Sequence, residues 1–181
     1  MKKILFGALV LSSSFVATAS YAESSGNWVG GISYANLSDE EDGLDISLGA
    51  LVGSLGYKID SGSGFHFIPE VRVGVGITDD TVTAFGVNVD VELDSFLTLS
   101  VKGQYELENG IYLFAAPIYA NAEFTASASQ GGQSASATED SWEFGLGVGA
   151  GYSFNSSTSL EASYEQFDGT DVLSIGLKFD F

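Results

Sequence analysis

The chain has 181 residues, with 24 acidic and six basic side chains, a formal net charge of −18 and no cysteine. A negative surplus of this size would repel the phosphate backbone, so we expect no nucleic-acid partner. Without thiols the chain cannot form disulfides, thiolate zinc sites or iron–sulfur clusters, and we expect neither a metal nor a cofactor. Its glycine and aromatic content argues against a disordered acidic chain.

The first residues have the features of an export signal. Two lysines precede an apolar run over residues 4–11, and Ser20 and Ala22 occupy the two positions that a signal peptidase reads. The run is shorter than the roughly 20 residues that a membrane-spanning helix needs. The sequence therefore predicts a signal peptide over residues 1–22 and a mature domain over residues 23–181.

Alternation of apolar with polar or small residues recurs through the mature chain, and no stretch has a helical period. In the clearest stretch, residues 141–154, large apolar side chains alternate with glycine and serine. The apolar parity of one stretch changes near Gly49, where we predict a β-bulge. The alternating stretches cover residues 28–37, 44–59, 65–77, 85–105, 111–125, 141–154, 160–167 and 173–181. They predict an all-β domain of eight strands.

The connections between these stretches differ in length from one end to the other. Those over residues 60–64, 108–110 and 155–158 are tight, whereas those over residues 38–43, 78–84 and 126–140 are longer. Short periplasmic turns and longer outer loops are typical of membrane-spanning barrels. The Ala- and Ser-rich segment over residues 126–137 is expected to be a mobile loop.

Alternation also occurs in soluble barrels, where the apolar face points inward. Here the other face is mostly small, and only 17% of residues are charged, which is low for a water-exposed surface. Trp142 and Tyr152 are separated by about 25 Å along the membrane normal, the height of an outer-membrane apolar band. We therefore predict an eight-stranded, antiparallel, up-and-down transmembrane β-barrel. Its periplasmic rim is expected to hold Tyr57, Phe65, Tyr105, Tyr112, Phe154, Phe179 and Phe181.

The mature chain resembles the small outer-membrane β-barrel proteins of Gram-negative bacteria, of the OmpA/OmpX transmembrane type. The resemblance is carried by the export signal, by Pro69-Glu70-Val71-Arg72-Val73-Gly74, by the glycine-alternating strand that ends at Tyr152, and by the last strand. It implies an outer-membrane location and makes the terminal Phe181 a recognition element for the barrel-insertion machinery. It leaves the function open, because the family includes adhesins, small pores and lipid-modifying enzymes.

Parity directs a set of charged and polar side chains toward the lumen. These are Glu70, Arg72, Lys102, Gln104, Glu143, Glu161, Glu165 and Lys178. We expect them to form a network of ion pairs that holds the barrel shut. The alternative is a narrow polar path for small solutes, helped by the small residues at Gly145, Gly147, Gly149 and Gly151. We expect Phe96 and Tyr119 to fill part of that space.

Catalysis is not expected, because the single imidazole, His66, follows a periplasmic turn, whereas enzymes that act on outer-leaflet lipid need one near the outer rim. The outer loops instead carry dense negative charge, at residues 38–42 and at Asp79 and Asp80. We interpret this charge as solvated loop surface. Binding of Ca²⁺ is the alternative, although the spacing fits no EF-hand.

The stretch over residues 85–105 is about twice as long as the apolar band requires. Either it protrudes or it breaks near Asp94 and Ser95. A protruding Val87, Val89 and Val91 would form a ribbon that recruits another protein by edge pairing.

These observations predict an outer-membrane barrel with a structural or adhesin-like, surface-interaction role and no enzymatic activity, with a narrow porin-like channel as the alternative. The expected partners are outer-membrane lipid and lipopolysaccharide, the barrel-insertion machinery through the last strand, and an extracellular protein. The barrel is expected to be a monomer.

Overall fold

The computed structural model describes residues 27–41, 44–84, 87–130 and 133–181. The predicted signal peptide and Phe85 lie outside these ranges. Within them, no helix is long and apolar enough to cross a membrane. The described strands are β1 (Trp28–Glu41), β2 (Leu44–Tyr57), β3 (Ile59–Asp60), β4 (Phe65–Thr78), β5 (Asp80–Ala84), β6 (Val87–Glu106), β7 (Ile111–Gln130), β8 (Gln133–Asn155), β9 (Thr158–Gln166) and β10 (Thr170–Asp180).

Eight of these strands close into an antiparallel barrel, which confirms the predicted fold. The order around the wall is β1, β2, β4, β6, β7, β8, β9 and β10, and β10 returns to pair with β1. The other two described strands are short additions. β3 pairs with the start of β4, and β5 continues the line of β4 beyond Asp79 and pairs with β6.

The two ends of the barrel differ. One end, called the turn end here, holds the tight connections and the closure of the barrel, where Phe181 and Trp28 exchange backbone hydrogen bonds of 2.9 and 3.2 Å. Gly62, Gly64 and Gly110 adopt positive φ in these turns, a conformation that side chains with a Cβ rarely take. The other end, called the hairpin end, holds the longer connections.

Large apolar side chains cover the outside of the barrel. Phe144, Val148 and Ile175 are 64%, 55% and 54% exposed, and Leu177 also points outward. A soluble barrel would bury these side chains, so the outside matches a wall that faces hydrocarbon. At the hairpin end the apolar band finishes at Tyr119, whose ring stacks on Trp142 with 4.8 Å between centroids.

At the hairpin end, strands occupy most of the positions predicted to be loops. β1 continues to Glu41, and β7 and β8 pair from the wall up to Gln130 and Gln133. The prediction of a mobile loop over residues 126–137 is therefore wrong for the described residues. Alanine and serine alternate there, so the segment keeps the period of a strand although its side chains are small.

The two irregularities expected in the strands lie close to where they were predicted, with different effects. The β2–β4 pairing shifts register between Gly49 and Ala50, but the extra residue is Ile77 in β4, and β2 keeps its parity. In β6 a shift between Leu93 and Ser95 inverts the faces. Leu93 is therefore buried in the lumen, and Phe96, as expected, fills part of it.

The valine ribbon of β6 does protrude, but it offers no free edge. Val89 and Val91 pair with Ala128 and Ala126 of β7 on one side and with β5 on the other. Edge pairing of a partner along this ribbon, as predicted from the sequence, is excluded because both edges are already occupied.

Candidate functional site

A network of buried ion pairs crosses the middle of the lumen. The Arg72 guanidinium, on β4, donates two hydrogen bonds to the Glu165 carboxylate on β9, at 2.6 and 2.9 Å, and a third to Thr98 Oγ1 at 2.8 Å. This paired geometry is the strongest form of arginine–carboxylate contact. Since β4 and β9 lie opposite each other in the closed wall, this contact joins the two sides of the barrel.

Two lysines complete the network. Lys102 Nζ donates to Glu161 Oε1 at 2.6 Å, and Lys178 Nζ donates to Glu70 Oε2 at 2.6 Å. Lys102 also lies 3.6 Å from Glu70, so Glu70 contacts both lysines. Three bases therefore face three acids, and the buried charges balance within the lumen, as buried charges must if they are to stay ionised.

The structure brings together six of the seven charged residues predicted for this network. Glu143 is the exception, because it faces inward from β8 nearer the hairpin end, where its described hydrogen bond is with Ser141 Oγ at 3.1 Å. Parity indicated the face that Glu143 occupies but not its height in the barrel. Gln104 is buried on the turn-end side and donates to Glu106.

Uncharged side chains also hydrogen-bond to the network, although they were not predicted as members. Ser54 Oγ accepts from Lys178 at 2.8 Å, and Thr98 accepts from Arg72. The Tyr112 hydroxyl donates to Glu161 at 3.3 Å, and Ser163 Oγ donates to Glu165 at 3.4 Å. Tyr112 was expected at the periplasmic rim on the outside of the barrel, but it is buried in the lumen. Small polar residues in phase with Glu70 and Lys102 are the signal that could have identified Ser54 and Thr98.

The row of lumen-facing glycines in β8 is filled by large neighbours. Phe167 packs on Gly145, Phe114 on Gly149 and Tyr112 on Gly151. The space that these glycines provide therefore holds aromatic rings, and a cavity of about 20 Å³ beside the ion pairs has room for a single water molecule. Tyr119, expected to fill the lumen, instead points outward and stacks on Trp142.

Replacing Gly149 by valine is expected to destabilise the barrel by about 1–3 kcal/mol, because the new side chain would overlap the Phe114 ring and the Ala162 carbonyl oxygen. The matched control is Ala150→Val, which adds volume to the adjacent, outward-facing position. Urea unfolding in phospholipid vesicles measures both variants. Equal stability of the two variants would show that the glycines are not needed to accommodate the rings.

The turn end holds the fourth base among the described residues and the single histidine of the sequence. Lys58 Nζ contacts Glu106 at 2.7 Å, and His66 Nε2 lies 3.4 Å from the same carboxylate. His66 Nδ1 lies 3.7 Å from Asp60. His66 therefore lies between two carboxylates at the turn end, as expected from its position just after a tight turn.

The hairpin end has the opposite charge character. Its described segments, residues 38–41, 44–47, 78–84, 87–94, 123–130, 133–143 and 167–171, contain fifteen of the 24 acidic residues and no lysine or arginine. On the outer face Asp90 pairs across with Ser127, and Glu123 lies directly opposite Asp140. On the inner face of the same sheet Val91 and Phe124 pack against the buried cluster in the lumen, and Glu139 and Glu143 of β8 lie on this face as well.

Among the described residues, no group of three or more His, Asp or Glu side chains could hold a metal ion. Asp80, one of the acidic residues for which Ca²⁺ binding was the alternative interpretation, accepts backbone hydrogen bonds from Ser47 and Thr81, each at 2.8 Å. Asp42 lies outside the described ranges. Asp80 thus joins β2 to β5, two strands between which the described residues form no backbone ladder.

Comparison with known proteins identifies the family. The family model described as outer membrane protein beta-barrel domain matches residues 6–181. Similar solved structures include Neisserial surface protein A, with 14% identity, a TM-score of 0.56 and coverage of 86% of this chain and 97% of that one.

Two further structures have the same fold. The attachment invasion locus protein Ail of Yersinia pestis, solved with the heparin analogue sucrose octasulfate, has 17% identity, a TM-score of 0.57 and coverage of 85% and 97%. The N-terminal β-barrel domain of Pseudomonas aeruginosa OprF has 12% identity, a TM-score of 0.51 and coverage of 86% and 98%. A search of curated proteins found no match. The chain belongs to the outer membrane protein β-barrel domain family and is a protein of the outer membrane.

Proposed function

We propose that this barrel is a non-catalytic surface-interaction protein that acts through its hairpin end. The observation that carries the proposal is the unequal height of the wall. β8 has 23 residues, whereas its neighbour β9 has nine. Short turns face the periplasm in this class of barrel, so the hairpin end faces the cell exterior.

The extension is built as a continuously paired sheet. β7 and β8 stay paired beyond the rim marked by Tyr119 and Trp142, and β6 and β5 continue the sheet on the other side. Beyond the rim the outward side chains change from apolar to polar and acidic. A paired, polar sheet above the membrane is suited to contact another molecule, since little order has to be gained on binding.

The negative charge of the hairpin end opposes the binding of polyanions. Ail was solved with a heparin analogue. The hairpin-end segments of this chain contain no lysine or arginine, so repulsion would oppose a sulfated or phosphorylated ligand there. For the same reason we expect lipopolysaccharide to surround the barrel without direct charge pairing of its phosphates to this end.

The channel alternative is disfavoured by the network that crosses the lumen. A solute would have to break the Arg72–Glu165 contact and displace the rings that lie on the β8 glycines. Enzymatic activity is disfavoured because His66 lies between two carboxylates at the turn end, far from outer-leaflet lipid. We therefore infer a closed, monomeric barrel.

The test is a variant in which residues 125–138 are replaced by Asn-Gly, a two-residue turn that joins the paired positions Phe124 and Glu139. Bacteria that display the intact barrel should adhere to epithelial cells or matrix-coated wells several-fold more than bacteria that display the short variant. Heat-modifiable gel migration checks that both variants fold. Equal adherence, or a steady current through the intact barrel in planar bilayers, would contradict the proposal.

A further inference from the structure

The outer edge of β8 above the rim lacks a strand partner in the described part of the chain. β9 pairs with β8 only as far as Leu146, where it meets Gln166. Above that point residues 133–145 pair with β7 alone among the described strands, and Phe167, in the connection after β9, packs on Gly145 at the base of this edge. At ~3.3 Å per residue this open edge is about 40 Å long.

The hydrogen-bond pattern shows which backbone groups are presented at the open edge. Ser153 N–H donates to Gly110 C=O at 2.8 Å, so these opposite residues form a hydrogen-bonded pair. In an antiparallel ladder such pairs alternate with non-hydrogen-bonded ones. Continued along the unbroken β7–β8 register, this alternation directs the N–H and C=O of the even-numbered residues 134–144 away from β7. These are the groups that an added strand would bond.

The charges on this edge select the partner. Glu123 and Asp140 lie directly opposite each other in a non-hydrogen-bonded pair, the closer of the two pair types, and like charges so placed repel. Glu139 and Glu143 lie on the other face of β8. A second copy of β8 would bring the same carboxylates against these, so self-pairing is opposed. Lysine or arginine side chains on an added strand would relieve the repulsion.

We propose that the open edge of β8 binds an extended, basic polypeptide segment of another protein by strand addition. The proposal rests on the surface-interaction role proposed above and adds the place and the chemistry of the partner. Backbone bonds to the even-numbered residues would supply affinity. Basic side chains that reach Asp140 and Glu123 on the outer face, or Glu139 and Glu143 on the inner face, would supply selectivity.

The experiment uses the full barrel in nanodiscs and a labelled peptide of alternating lysine and valine, with a glutamate–valine peptide of equal length as the charge control. Fluorescence anisotropy at low salt measures binding. The lysine peptide should bind, and the glutamate peptide should bind at least tenfold more weakly. Equal binding of both peptides would overturn the charge argument.

Two variants separate strand addition from simple attraction between charges. Ser136→Pro removes an N–H from the open edge and leaves the β7 ladder intact, and Ser136→Val is its control. The proline variant should bind the lysine peptide several-fold more weakly than the valine variant. The Glu123→Gln/Asp140→Asn double variant should also bind it several-fold more weakly. Binding that is lost in the charge variant but unchanged in Ser136→Pro would overturn strand addition.

The adherence test above keeps the two proposals distinguishable. Adherence that depends on residues 125–138, without binding of the lysine peptide, would leave the surface role standing and overturn the basic partner. If the peptide binds but adherence does not depend on those residues, the basic partner would stand and the surface role would be contradicted.

Discussion

Replacing Arg72 by leucine is expected to lower the free energy of unfolding by about 3–5 kcal/mol, because the Glu165 carboxylate would stay buried without its cation. Urea unfolding in vesicles, followed by the fluorescence of Trp28 and Trp142 and by gel migration, measures the change. The control is Lys58→Leu, which removes a partly exposed ion pair of similar length at the turn end and should cost at most about 1 kcal/mol.

The double variant Arg72→Leu/Glu165→Leu tests the cause of that loss. It removes one buried base with one buried acid, so the four remaining charges, Glu70, Lys102, Glu161 and Lys178, still balance. We expect it to be at least about 2 kcal/mol more stable than Arg72→Leu alone. A double variant as unstable as the single one would mean that packing around Arg72, and not uncompensated charge, sets the cost.

The barrel itself could be predicted from the sequence because a membrane imposes one rule on every strand. Apolar residues must alternate over the height of the band, as they do in residues 141–154. Charged residues on the face opposite the apolar one, such as Glu70 and Arg72, must then point into the lumen. Their membership in a common network followed from the small bore of the barrel.

Beyond the apolar band this alternation rule no longer applies, because the polar and apolar residues exchange faces there. The outer face now meets water and the inner face carries the apolar residues, so Phe124 points inward while Glu123 points outward. In β2 this exchange of faces changes the apolar parity near Gly49, which is why the sequence predicts a bulge there, although β2 keeps an unbroken register with β1. In β6 a real bulge inverts the faces, so Leu93 is buried whereas Leu99, at the same parity of the alternating stretch, is exposed.

The open edge of β8 could not be predicted from the sequence at all. It exists because β9 ends at Gln166 while β8 continues to Gln133, and the relative height of two neighbouring strands depends on their register. Register is a property of the closed wall and not of any one segment. The segment over residues 126–137 could not be identified as strand for a different reason, because alternating alanine and serine give little sign of a buried face.

Replacing Phe181 by alanine is expected to reduce the amount of assembled barrel in the outer membrane severalfold, if the terminal ring is the element that the insertion machinery recognises. The backbone hydrogen bonds between Phe181 and Trp28 do not involve the ring and would remain. Loss of the half-exposed ring itself should cost only about 1 kcal/mol. The variant should therefore fold into vesicles almost as well as the parent when no machinery is present.

Phe154 provides a matched control for this prediction. It is also an outward ring at the turn end, and it is 56% exposed, against 57% for Phe181. Phe154→Ala removes the same apolar area from the rim without changing the last strand, so its yield in cells should stay near that of the parent. Quantitative blots of outer-membrane fractions compare the two variants. If both lower the yield equally, the effect belongs to the aromatic rim as a whole, and recognition of the last strand through Phe181 would be contradicted.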